Sequence, residues 1–274
     1  MRIAAVLVLA FASLASLAVA APGPIVEHGR FLASDQNRHL LVVDGRGHVV
    51  RRLPFTRTGC CPGQVELSAD RDHAFVSESS DTRFALLKVD LATGRSSRIA
   101  SGGSPALSPD GRKLAYFSVS PPYDLSERRA VVVRDLTTGN QRVIPFAAQA
   151  PSVPAPGMLI NWSPDGRKLA LSGWNRRVGS VLYVVDVTHA RTIESQPSFG
   201  HLEAPVFLDN STLLALANCC TSTHQEMVAI SLADRSETPF ATLPEPPESL
   251  RRISPGTFLA TTPTASCFGS RKGA

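Results

Sequence analysis

Aromatic residues make up only 6% of this 274-residue chain, methionine occurs three times, and four lysines stand against 24 arginines. Charged residues stop at 19%, and the arginine pairs at 51–52, 128–129, 176–177 and 251–252 are scattered and form no tract. With no basic stripe and no aromatic-rich strand to stack bases, nucleic acid is excluded as a partner class. No window shows 3.6-residue periodicity, which excludes a helical bundle or coiled coil. After residue 20 no apolar run approaches the length that spans a membrane. There is no phosphate loop, no dinucleotide fingerprint and no H-E-x-x-H pair. The seven histidines, at 28, 39, 48, 73, 189, 201 and 224, are dispersed.

Present instead are 43% apolar residues, too many for a disordered chain, with 21 prolines and 19 glycines. That proline and glycine content exceeds average usage of about 12% and suits many short elements joined by turns. At the N-terminus, Met1-Arg2, an apolar run from Ile3 to Leu17 and the small residues Ala18-Val19-Ala20 form a charged region, an apolar region and a cleavage site. Residues 1–20 therefore read as a signal peptide, which places the protein in the periplasm or outside the cell. No cysteine lies near the junction, so a lipid anchor is not expected. Residues 21–274 are expected to form a single domain with no stable membrane span once the leader is cleaved, acting as a monomer.

Internal repetition organises that domain. LSPDGRKLAYFS at 107–118 and WSPDGRKLALSG at 162–173 are nearly one peptide. Weaker copies are LSADRDHAFVSE at 67–78, FLDNSTLLALAN at 207–218 and ISPGTFLATT at 253–262, with a half copy, RFLASDQN, at 30–37. From Ser68 through Ser108, Ser163 and Leu208 to Ser254 the spacings are 40, 55, 45 and 46 residues. Each copy reads as a strand, a Ser-Pro-Asp-Gly turn, a second strand, a loop, a third strand such as AVVVRD or VLYVVD, a second turn and a fourth strand. Six such units predict an all-β chain, a six-bladed β-propeller of four-stranded antiparallel blades. The first unit lacks its opening strand, and residues near Ile25-Val26 are expected to close the ring by completing the last blade.

The SPDGRKLAY and SPDGRKLAL peptides resemble the WD-like repeat of the TolB-like propeller family, a repeat shared with propellers of the prolyl-oligopeptidase and tricorn families. The resemblance implies a propeller across the whole mature chain, without the N-terminal α/β domain of TolB. The α/β-hydrolase domain and G-x-S-x-G elbow of the peptidase relatives are missing from the sequence.

Five cysteines stand at Cys60-Cys61, Cys219-Cys220 and Cys267. Adjacent Cα atoms, about 3.8 Å apart, fall short of the usual disulfide span of about 4.4–6.8 Å, so bonds between distant cysteines are favoured. The repeat frame puts all five on one face. Units five and six are neighbours, which favours Cys267 with Cys219 or Cys220. The same thiols with His224 could hold Zn or Cu. That face also collects variable loops, among them Tyr123, Asp124, Trp174, Asn175, Arg176 and Arg177, a suitable binding surface for a protein or other envelope ligand. Asp110 and Asp165 read as turn formers. The primary expectation is a non-catalytic binding scaffold. A metal-dependent hydrolase or lyase of the six-bladed kind, or a thiol-based metal-binding protein, are the alternatives.

Overall fold

Proline and glycine at the turns and β-branched or aliphatic runs between them produce a chain of short antiparallel hairpins, seen in a computed structural model. The described residues are 6–10, 30–34, 39–44, 48–56, 61–80, 83–118, 130–145, 160–175, 179–197, 203–217, 225–243, 249–254 and 257–261. Among them every regular element is a strand. The first, β1 (Val6–Ala10), belongs to the last sheet. The first sheet contains β2 (Arg30–Ser34), β3 (His39–Asp44) and β4 (Val49–Thr56). The second runs through β5 (Cys61–Leu67), β6 (His73–Ser80), β7 (Arg83–Asp90) and β8 (Ser96–Ala100). The third comprises β9 (Gly102–Leu107), β10 (Lys113–Ser118), β11 (Ala130–Asp135) and β12 (Gln141–Pro145). The fourth has β13 (Ile160–Trp162), β14 (Lys168–Asn175), β15 (Gly179–Asp186) and β16 (Arg191–Pro197). The fifth has β17 (Glu203–Phe207), β18 (Thr212–Ala217), β19 (Gln225–Ser231) and β20 (Glu237–Leu243). In the last, β21 (Ser249–Ser254) pairs with β22 (Thr257–Thr261), and β22 with β1.

Register confirms that the sheets repeat one plan. The opening residue of each second strand faces the closing residue of each third strand: His73 with Asp90, Lys113 with Asp135, Lys168 with Asp186, Thr212 with Ser231. Arg30 faces Asp44 in the same way. This makes β2 a second strand, and among the described residues the first sheet has no opening strand. The closing sheet corrects the expectation in another respect. The strand laid against β22 is Val6–Ala10, where the sequence pointed to Ile25-Val26, residues outside the described set. The physical reason is composition. Val6–Ala10 is five aliphatic residues with every backbone N–H intact, whereas Ile25-Val26 follows Pro22 and Pro24, which donate nothing to a ladder.

Sheets stack face to face in chain order, and this explains why the second strands lack a polar alternation. In KLAYFS the side chains alternate between two neighbours, as a strand's period of two requires. Leu114 and Tyr116 pack with Phe75 and Leu86 of the second sheet. Ala115 and Phe117 pack with Trp162, Leu169 and Leu171 of the fourth. Ala170, Leu182 and Val184 then meet Phe207, Leu213 and Ala215 of the fifth, and Leu40, Leu53 and Phe55 of the first meet Ala74 and Val76 of the second. The opening strands β5, β9, β13, β17 and β21 lie beside one another in that order. Around them β13 ties to both neighbours. Trp162 Nε1 donates to the Ala106 carbonyl at 2.9 Å, and Asn161 Nδ2 to the Pro205 carbonyl at 2.8 Å.

Candidate functional site

An up-and-down sheet has two unlike ends. Turns between first and second strands, and between third and fourth, leave at one end. Links between second and third strands, and links to the next sheet, leave at the other.

The turn end is repetitive and internally satisfied. Ser108 Oγ donates to Asp110 Oδ1 at 2.6 Å and accepts the Lys113 N–H at 2.9 Å. Ser163, fully buried, repeats this with Asp165 and Lys168 at 2.6 and 2.9 Å, and Ser68 with Asp70 and His73 at 2.5 and 3.0 Å. The third-strand aspartates accept from the turns that follow: Asp90 from the Ala92 and Thr93 N–H groups, Asp135 from those of Thr137 and Thr138. Asp186 accepts the His189 N–H at 3.0 Å and meets its ring Nδ1 at 2.6 Å. Asp110 and Asp165 are therefore turn formers, consistent with the tendency of Asp to bond backbone two or three residues on.

Neighbouring turns also touch. Asp165 N–H donates to Asn210 Oδ1 at 3.0 Å, and Lys168 Nζ to the Asn210 carbonyl at 2.9 Å. Gly111 has φ +69°, and a Cβ built there would lie 2.5 Å from the Ala69 Cβ of the preceding sheet's turn. Glycine serves both needs. In the second sheet the equivalent place is held by Arg71 at φ 65°.

These bonds give the turn carboxyls a common electrostatic signature. Hydrogen bonds from Ser68 and the Asp72 N–H hold Asp70 below its ordinary value, the Thr93 N–H and hydroxyl do so for Asp90, and the Thr138 N–H and hydroxyl for Asp135. His189 lowers Asp186. At Asp110 and Asp209 partial burial pushes upward, but bonds from Ser108 and Arg112, and from Ser211 and Thr212, together outweigh it. Asp234, bonded by Ser231 and Ser236, drops to about 2. A carboxyl whose value is depressed by folding stabilises the fold above its unfolded value of about 3.9 and loses that contribution as pH falls through the folded value. The thermal midpoint is thus expected to fall between about pH 4 and pH 2, and these groups should leave it flat from pH 5 to 7. Melting curves across pH 2–7 check this; a midpoint unchanged down to pH 2 would contradict it.

The opposite end carries the chain's variety. Here lie the β6–β7 turn, where Ser80 faces Arg83, and the β14–β15 turn, where Asn175 faces Gly179 and Trp174 faces Ser180. Cys61 opens β5 opposite Ser79 at this same end. Tyr123, Asp124, Arg176, Arg177, Cys60, Cys219, Cys220, His224 and Cys267 lie outside the described residues. Among the described residues no group of three or more His, Cys, Asp or Glu gathers as a metal site, and no helix is long and apolar enough to cross a membrane.

Beneath these loops the opening strands are irregular. β5, β9 and β17 each carry one extra residue relative to the partner strand, between Pro62 and Val65, between Gly103 and Ala106, and between Glu203 and Val206. Such bulges bend a strand and re-aim its side chains. Ser104, in the β9 bulge, is buried at φ 57°. Ser77 donates to the Gln64 carbonyl at 3.4 Å, and Glu78 beside it is also buried. A band of buried polar side chains (Ser77, Glu78, Ser104, Ser172) thus underlies the loop end. Sequence reasoning passed over it. The available signal was Ser77 in HAFVSESS, at the position where KLAYFS carries Phe117.

No protein-family model matches the sequence, and no curated protein matches it either. Solved structures do. A TolB candidate from Agrobacterium tumefaciens aligns with a TM-score of 0.60 at 12% identity, over 86% of this chain and 87% of that one. TolB from Acinetobacter baumannii aligns at 0.54 and 14% identity, over 85% of this chain, which spans 63% of that protein. A chain of a nidogen–laminin complex aligns at 0.57 and 10% identity, over 79% and 76%. Identities this low speak for architecture alone. In architecture, then, the chain is a TolB-like β-propeller.

Proposed function

We propose that this chain is an exported six-bladed propeller serving as a non-catalytic scaffold, binding a protein or other envelope ligand at its loop end. The observation that carries the reading is the contrast between the two ends. At the turn end the aspartates and serines bond their own backbone, whereas the strands that lead into the non-repeating segments end at the other side, where the opening strands β5, β9 and β17 are bulged. Loops held by a rigid frame are where binding residues concentrate. Six sheets, stacked in chain order, support a six-fold ring. The signal-like segment 1–20 supports export.

The candidate binding residues are Tyr123, Asp124, Trp174, Asn175, Arg176 and Arg177, with aromatic and arginine side chains of the kind that dominate interfaces. The experiment is a pull-down from an envelope fraction. Tyr123→Ala with Trp174→Ala should weaken retention of the captured partner roughly tenfold or more. Arg112→Ala, exposed at the turn end, should leave it unchanged. Equal loss from both ends would refute the assignment.

A further inference from the structure

The leader and the closing strand make incompatible demands on one segment. Val6–Ala10 lies against β22, with Val6 facing Thr261, Val8 facing Leu259 and Ala10 facing Thr257. Yet Val6–Ala10 sits inside the segment that cleavage after Ala20 removes. Processing would strip the strand away and leave the N–H and C=O groups along one side of β22 open, a template for strand addition.

In the second to fifth sheets the third place is filled by the strand that follows directly in the chain. Residues 262–274 contain no Val, Ile or Leu, and Pro263 stands two positions after β22. In residues 21–29 the only Val, Ile or Leu are Ile25-Val26, behind Pro22 and Pro24. Proline takes donors out of a ladder and is confined to edges and bulges. Neither flanking segment, 21–29 or 262–274, matches Val-Leu-Val-Leu-Ala in composition.

From this the structure assigns the free side of β22 as a strand-acceptor site. Its occupant after processing is an extended aliphatic segment of a partner polypeptide, about five residues long and free of proline and charge, added antiparallel to Thr257–Thr261. The leader strand shows the chemistry of that occupant and holds the place until it is removed. The inference rests on the reading that the leader is cleaved.

The probe is a labelled synthetic peptide carrying Val-Leu-Val-Leu-Ala between solubilising lysines. Three proteins are compared: the chain recovered after export, the unaltered full-length chain, and full-length Leu7→Pro/Val8→Pro. Adjacent residues of a strand point their N–H groups in opposite directions, so the paired prolines delete a ladder donor in either phase. The peptide should bind the exported chain and the double-proline variant at least about tenfold more tightly than the unaltered chain. A peptide with proline at its centre should not bind. Bound peptide should also slow amide exchange across Thr257–Thr261. Equal binding to all three proteins, equal binding by the proline peptide, or no binding to a folded exported chain would overturn the site. Should the double-proline variant not fold, the exported chain alone decides. The exported protein's mass tests the leader separately: a chain that retains Met1 refutes cleavage, while peptide binding to the double-proline variant still tests the acceptor edge.

Discussion

Gly102→Ala should cost about 3 kcal/mol of stability, while Gly103→Ala, one position on, should change it by less than about 1 kcal/mol. The two glycines share a strand, but their surroundings differ. A Cβ on Gly102 would fall 1.9 Å from the Phe117 carbonyl oxygen, with its carbonyl carbon at 3.0 Å and the Tyr116 ring at 3.3 Å. Backbone of the paired strand cannot swing aside as a long side chain can, so β9 must shift away from β10. That shift disturbs the packing of Tyr116 toward the second sheet and of Phe117 toward the fourth. A Cβ on Gly103 would meet only the Ser77 Cβ, at an ordinary 3.6 Å. Alanine there also narrows the unfolded ensemble, which offsets part of any loss. Urea midpoints compared at a common slope measure both variants. Losses of equal size would mean that the close approach at Gly102 is not what the glycine accommodates.

Trp162→Ala should be comparably severe, at about 3–5 kcal/mol. The indole is 8% exposed and packs within the cluster that joins the third and fourth sheets. Its Nε1 also bonds the Ala106 carbonyl across that boundary at 2.9 Å. Trp162→Phe separates the two contributions. It keeps most of the apolar volume and leaves a buried carbonyl without its donor, at about 1–3 kcal/mol. If phenylalanine matched tryptophan in stability, the cross-sheet hydrogen bond would contribute nothing. The result bears on architecture, because β13 is the strand seen to bond both neighbours through side chains.

The repeat made most of this fold legible. Ser-Pro-Asp-Gly followed by a short apolar run locates β9–β10 and β13–β14, and the terminal Asp of AVVVRD and VLYVVD locates β11 and β15. These signals are local: proline presets one dihedral, glycine permits another, and Asp bonds the turn that follows. Pairings set by distant chain are another matter. Val6–Ala10 lies within the apolar run of a leader, Ile3 to Leu17, and the same five residues are equally good strand formers; only the pairing with a partner more than two hundred residues away reveals the strand. The buried polar band was hidden for a related reason. Whether Ser104 points at solvent or into the fold depends on one extra residue in β9, which only the register against β10 reveals. Of the proposed binding residues, Trp174 and Asn175 fall among the described residues, where they close strand β14. The repeat can name their end of the sheet, but it carries no information on the shape of loops that are not repeated.

The pairing of β1 with β22 also has a consequence in time. Strands of the second to fifth sheets meet partners made moments earlier, so those hairpins can close while synthesis continues. The last sheet joins the earliest strand to leave the ribosome with one of the latest. Through almost all of translation, Val6–Ala10 has no strand to pair with and is free to engage whatever recognises an exposed apolar segment. Only when Thr257–Thr261 is made can strand pairing compete with that engagement.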